Sequence, residues 1–167
     1  MQQVALSKKK TSFLKQSVIS NSIVYLLTSF HHYYGAIVYN TPWRKDVIPN
    51  GGAVMLIAII CLLLYRYLNK KAFLLIYILL SFLVFSLGIG IFEGAYNHLL
   101  KDLLYFSGMK LDTWRMLYPA PAYEVPSNLV FESTGIAQFF VALIQIYYLR
   151  KVYRSAYPKH ANNLSNH

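Results

Sequence analysis

Four stretches of this chain, about residues 17–39, 52–68, 72–96 and 134–149, are long, apolar and almost free of charge. Each approaches or exceeds the roughly 17–25 residues that carry an α-helix across a hydrocarbon core. Their continuous apolar character lacks the two-residue alternation of a barrel strand, and backbone groups in lipid must be paired within their own segment, so helices are required. The expected fold class is therefore all-α: a polytopic membrane protein, a four-transmembrane-helix bundle forming a single membrane domain over 1–167. Composition agrees, because 56% hydrophobic residues against 13% charged ones is too apolar for an ordinary soluble domain.

The formal charge of +10 raises nucleic acid as a partner, but the positions of the cations answer differently. Lys8, Lys9, Lys10 and Lys15 precede the first span. Arg66, Lys70 and Lys71 lie in the second-to-third turn, and Arg150, Lys151, Arg154 and Lys159 follow the fourth span. An even number of spans puts all three groups on one side, which the positive-inside rule makes the cytoplasm, with both termini there. No nucleic acid is needed; the expected partners are the lipid bilayer and a membrane-protein partner or a second copy. The first span resembles a cleaved signal only superficially, since Asn21 and Ser22 interrupt its start and no small-residue cleavage site follows, so a retained anchor is expected. The segment KKKTSFLK suits an anionic leaflet.

The lone Cys61, within AVMLIAIICLLLY, excludes an internal disulfide or a CxxC pair and is expected as a small apolar residue. LNKK predicts a tight hairpin between the second and third spans. The long connection at about 106–131 contains Pro119, Pro121 and Pro126, which exclude a continuous helix. Its Trp114, Met116, Leu117, Tyr118 and Tyr123 favour a cap packed on the outer face over a flexible tether.

The polar residues of the spans fall at one depth. At 1.5 Å per residue, His31 and His32 lie about two turns below the outer end of the first span, and Glu93 about 30 Å from the inner start of the third. His98 follows Glu93 by about a turn, and Glu132 marks the outer entrance of the fourth span. Helical spacing puts Glu93, Asn97 and Lys101 on one face and turns His98 with Asp102 away from it. Gly88, Gly90, Gly94 and Ala95, with Gly35 and Ala36, would let the helices approach closely there.

Ionisable groups inside a span are costly and point to a cavity or partner. Three chemistries fit. A divalent metal would take His31, His32, Glu93, His98 and Glu132 as mixed N/O ligands, although no HExxH or ExxH spacing is present. Acid-base catalysis on a lipid-borne substrate would use Glu93 and His32 as the catalytic pair, with Asn97 binding ligand. Haem between histidines is the least favoured, because His98 lies near the surface. Arg44 and Arg115, each after a Trp, could bind a phosphate or carboxylate, against the simpler role of interfacial anchors. Interfacial hydrogen bonds for the histidines, and capping of the fourth helix for Glu132, are the ordinary alternatives.

The motifs HHYYGAIVYNTPWR and FEGAYNHLLK resemble small bacterial four-helix integral membrane proteins, with polar motifs at matching positions in the first and third spans. The resemblance implies a multi-pass protein of the cell membrane, a bacterial inner membrane, and supplies no activity or cofactor. Absent motifs exclude several families: there is no cysteine pair for a quinone-linked thiol oxidoreductase, no PSGH for a lipid phosphatase, no histidine-box set for a desaturase and no Gly-x-Ser nucleophile for an intramembrane protease. The expected function is binding of, or action on, a small ligand, metal or lipid in an outer-leaflet His/Glu pocket. The rival is an accessory subunit of a larger membrane complex, in which the same groups are interhelical hydrogen-bond glue. A transporter fits less well, since no half-helices or inverted repeats are evident.

Overall fold

The computed structural model describes the backbone of residues 2–158 and the side chains of residues 11–158. The expectations that rest on the side chains of Lys8, Lys9 and Lys10 and on Lys159 lie outside the described residues. Within them the protein is all-helical, with no strand. Five helices follow one another: α1 (Gln2–Val38), α2 (Val47–Leu68), α3 (Lys71–Phe106), α4 (Leu111–Leu117) and α5 (Leu129–Ala156). A short 3₁₀ turn, Pro42–Asp46, leads into α2.

Three stretches, Pro42–Leu68, Lys71–Phe106 and Leu129–Ala156, are long and apolar enough to cross a membrane. The expected first span is helical within α1 but more polar than these three. Its polarity faces inward: Ser17, Asn21, Thr28, His31 and His32 are buried, whereas Ile19, Ile23, Leu26, Phe30, Tyr33 and Ile37 are exposed. Both sets recur every three or four residues within each face, which is helical amphipathicity turned inside out. α5 repeats the pattern, with Glu132, Gln138 and Gln145 buried and Phe140, Leu143 and Ile144 exposed. An apolar exterior around a polar interior is what a lipid solvent selects.

α1 and α3 both pack chiefly against α5, while α2 closes the bundle beside α1 and α3. The larger apolar core lies at the end of the α2–α3 hairpin, where Leu74 and Tyr77 meet Leu149, Val152 and Ala58, with Cys61 buried among them. A smaller layer of Val24, Phe85 and Ala142 sits farther along. The hairpin turn is as tight as LNKK predicts: Asn69 adopts a left-handed conformation (φ 52°) and its N–H reaches Tyr65 O at 2.9 Å. α3 and α5 approach closely through two glycines. A Cβ at Gly90 would overlap the Ala142 methyl, and one at Gly94 would fall 2.6 Å from Phe139 N. Gly88, expected to serve the same purpose, meets only Leu83 O at 3.5 Å.

The long connection between α3 and α5, expected as a cap on the outer face, folds back onto α3. Trp114 and Tyr118, one turn apart on α4 and its end, are fully buried. Trp114 Nε1–H donates to Lys101 O at 3.1 Å, and the Tyr118 hydroxyl donates to Tyr96 O at 3.1 Å. Met116 and Leu117 fall on the opposite side of the same turn and are exposed. Burial raises the Tyr118 hydroxyl pKa from 10.0 to about 12. Because the folded value is the higher one, this contribution is fully present below about pH 10 and is lost as pH rises through 12. Trp114 fluorescence should accordingly report release of the cap only above about pH 10, and Tyr118→Phe should remove that alkaline step; release at neutral pH would contradict it.

Candidate metal centre

The winding of α3 decides which side chains meet. From Ser81 to Leu100 it runs as a π-helix, 20 residues long, whose i→i+5 bonds put more residues in each turn than the 3.6 of an α-helix. In an α-helix, residues five apart are rotated by about 140°, which is why spacing alone sends His98 away from Glu93. In the wider winding they return to nearly the same direction. Asn97 and His98 therefore flank Glu93, and the expected separation of His98 from the Glu93 face is corrected.

Glu93 Oε1 lies 3.7 Å from His31 Nε2, 3.7 Å from His32 Nε2 and 3.5 Å from His98 Nε2. Ligand atoms of His31, His32 and Glu93 all fall within 4.8 Å of one another, which makes this trio a group able to hold an ion, with His98 beside it. Donors in one tetrahedral shell with bonds of about 2.1 Å stand about 3.4 Å apart, so these separations fit. One of the imidazoles is held in a defined tautomer. The Thr134 hydroxyl donates to Val130 O at 2.7 Å, so it accepts from His31 Nδ1–H at 3.0 Å, and His31 Nε2 carries a lone pair. His98 Nδ1–H donates to Glu132 Oε2 at 2.6 Å, and its Nε2 faces Glu93 Oε1 at 3.5 Å. His31 Nε2 is buried with no hydrogen-bond partner. Glu93 Oε2 accepts from Asn97 Nδ2 at 2.7 Å.

Behind this layer stands a buried ionic chain. Glu132 does not cap α5; Asn128 does, its side chain accepting from Phe131 N at 3.0 Å. Both Glu132 oxygens are engaged, Oε2 by His98 and Oε1 by Lys101 Nζ at 2.7 Å. Lys101, 1% exposed, also donates to Glu124 O at 3.3 Å and faces Asp102 at 3.5 Å. The hydrogen bond of His98 thus goes across the bundle to Glu132 rather than along α3 to Asp102. Removing a buried partner leaves a charge uncompensated, so Lys101→Met should cost about 3–5 kcal/mol. A lowered thermal midpoint in detergent, recovered by adding Glu132→Gln, is the expected result, and an unchanged midpoint would refute it.

His32, Glu93, Asn97 and His98 form one side of a cavity of about 200 Å³, and Arg44 and Lys101 line it with the loop residues Trp43 and Ala122–Glu124. Arg44 is buried, its Nε donating to Thr41 Oγ1 at 2.8 Å and its Nη2 to Ala122 O at 3.1 Å, so it ties the two outer loops together beside the cavity. Trp43 remains exposed. Arg115 is not among the lining residues; its Nη1 is held by Tyr123 O at 2.9 Å. Phe131 walls the histidines, stacked on His31 with centroids 4.1 Å apart and tilted against His98 at 5.1 Å.

Lys101, Thr134, Phe131 and Gly135 belong to the site but were not legible as such. The only sequence signal was the i+4 relation of Lys101 to Asn97. Comparisons of the chain with protein-family models, curated proteins and solved structures find no match. The site must be read from its own geometry.

Proposed function

We propose that the chain is a four-span membrane metalloprotein with both termini cytoplasmic, in which His31, His32 and Glu93, with His98 beside them, hold a divalent first-row transition ion at outer-leaflet depth. His32, whose Nδ1 has no partner, takes the position facing the cavity. The observation that carries the reading is the lone pair of His31 Nε2, which faces a carboxylate oxygen of Glu93 from 3.7 Å, with His98 Nε2 3.5 Å from the same oxygen. A lone pair and a carboxylate oxygen repel unless a cation lies between them, and 3.7 Å is too long for a hydrogen bond. Glu132 and Thr134 then orient the ligand rings from behind, as partners of metal-bound histidines commonly do. On the open side, a small oxygen ligand such as water, a carboxylate or a headgroup phosphate has room to reach the ion, with Arg44 beside it.

The four-span topology is supported by the inverted amphipathicity of α1 and by the basic residues. Tyr157 Oη donates to Lys71 O at 2.7 Å, which brings the end of α5 to the hairpin that bears Arg66, Lys70 and Lys71. Protein purified in detergent without chelator should carry about one transition ion per chain, and cobalt loaded into the stripped protein should give visible d–d absorbance. Failure to bind zinc, iron, manganese, copper or cobalt would overturn the metal reading.

A further inference from the structure

A second site lies at the other end of the bundle, between α1 and α2. These helices meet closely near the start of α2, where Gly51 lets the Tyr25 ring approach and the Tyr25 hydroxyl donates to Ile48 O at 3.2 Å. Toward the hairpin end they leave a groove of about 620 Å³. Val18, Ile19, Leu62 and Leu63 line it, with Lys15 and Arg66 on its walls. α1 and α2 run in opposite directions, so Lys15 lies about one turn closer to the hairpin end than Val18 and Ile19, and Arg66 about one turn closer than Leu62 and Leu63, while Leu14 and Tyr65 flank the cations themselves. The groove thus has a charged mouth and an apolar interior.

Among the described residues the charge at that mouth has no acidic partner. All six acidic residues, Asp46, Glu93, Asp102, Asp112, Glu124 and Glu132, belong to the outer half or its loops. Among the described residues, every ion pair involves Glu93, Asp102 or Glu132, and none reaches Lys15 or Arg66. Lys70 and Lys71 add cations at the same end. A counter-charge from another molecule would answer these cations, and an apolar slot opening beside two of them at a membrane surface fits one kind of occupant.

We infer that this groove binds an anionic glycerophospholipid, its phosphate between Lys15 and Arg66 and one acyl chain along Val18, Ile19, Leu62 and Leu63. A second copy of the chain would bring the same positive charge to the mouth and fits less well. The inference rests on the membrane reading and is independent of the metal centre.

The test uses the full chain in nanodiscs of equal phosphatidylglycerol and phosphatidylcholine, extracted into detergent for native mass spectrometry. One phosphatidylglycerol should stay with the wild type. Lys15→Gln with Arg66→Gln should reduce its retention about tenfold and leave phosphatidylcholine retention and transition-metal content unchanged. Leu62→Trp, which fills the slot without altering charge, should also reduce retention, and excess glycerol phosphate should not displace the lipid. Equal retention of both lipids, no loss in the double Gln variant, or displacement by glycerol phosphate alone would overturn the inference. A cross-linked dimer abolished by Leu62→Trp would overturn it as well, in favour of a second copy.

Discussion

Glu93→Gln is expected to weaken transition-metal binding by at least about 100-fold while the bundle stays folded. The amide keeps the size of the side chain and can still meet Asn97, but it removes the only anionic oxygen that faces all three histidines. It also offers a hydrogen to His31 Nε2, which otherwise presents a lone pair, so the neutral variant can satisfy that nitrogen without an ion. Glu132→Gln should act more mildly, by about 10–100-fold, because it touches the metal only through His98. His32→Ala should fall between no effect and the Glu93 effect, since His32 lacks a partner behind it and is the least constrained of the four. Competition titration against a chromophoric chelator, with circular dichroism as the folding control, reads all three. Wild-type affinity in Glu93→Gln would end the metal proposal; equal losses in Glu93→Gln and Glu132→Gln would mean that Glu132 is itself a ligand.

The gradation depends on features that the sequence shows unevenly. Depth was legible: counting 1.5 Å per residue along spans of alternating direction places His31, His32, Glu93, His98 and Glu132 at one level, and in the structure they meet. Direction was not. A local change from i→i+4 to i→i+5 bonding has no residue signature comparable to a cap or a proline, yet it turns His98 through a large angle and brings it to Glu93. Arg44 illustrates a second limit. Beside an exposed Trp43 it reads as an interfacial anchor, and only the return of the outer loop to Ala122 draws its guanidinium inward. Hydrogen bonds to Lys101 O and Tyr96 O likewise hold Trp114 and Tyr118, which are buried, apart from Met116 and Leu117, which are not. α1 shows the converse. Its polar residues keep it below the apolar character of its neighbours, and their common face becomes evident once the exposed isoleucines are seen opposite.

Gly135→Ala should abolish metal binding without unfolding the helices, because Gly135 supplies the space in which His98 lies. A Cβ there would overlap the imidazole at its Cγ and Cδ2 atoms, and also come within 2.6 Å of Nδ1, the atom that donates to Glu132. The ring must leave, and with it goes the hydrogen bond to Glu132. Overpacking of this kind costs about 1–3 kcal/mol, so a modest fall in thermal midpoint should accompany the loss of metal. Gly90→Ala separates packing from site chemistry. Its Cβ would collide with the Ala142 methyl, away from every histidine, so stability should fall while the ligands remain, and Ala142→Gly should restore it. Gly88→Ala should change neither, as its nearest neighbour is Leu83 O at ordinary contact distance. If Gly135→Ala bound metal as the wild type does, His98 would have to lie outside the coordination shell. The winding of α3 would then serve helix packing rather than the ion.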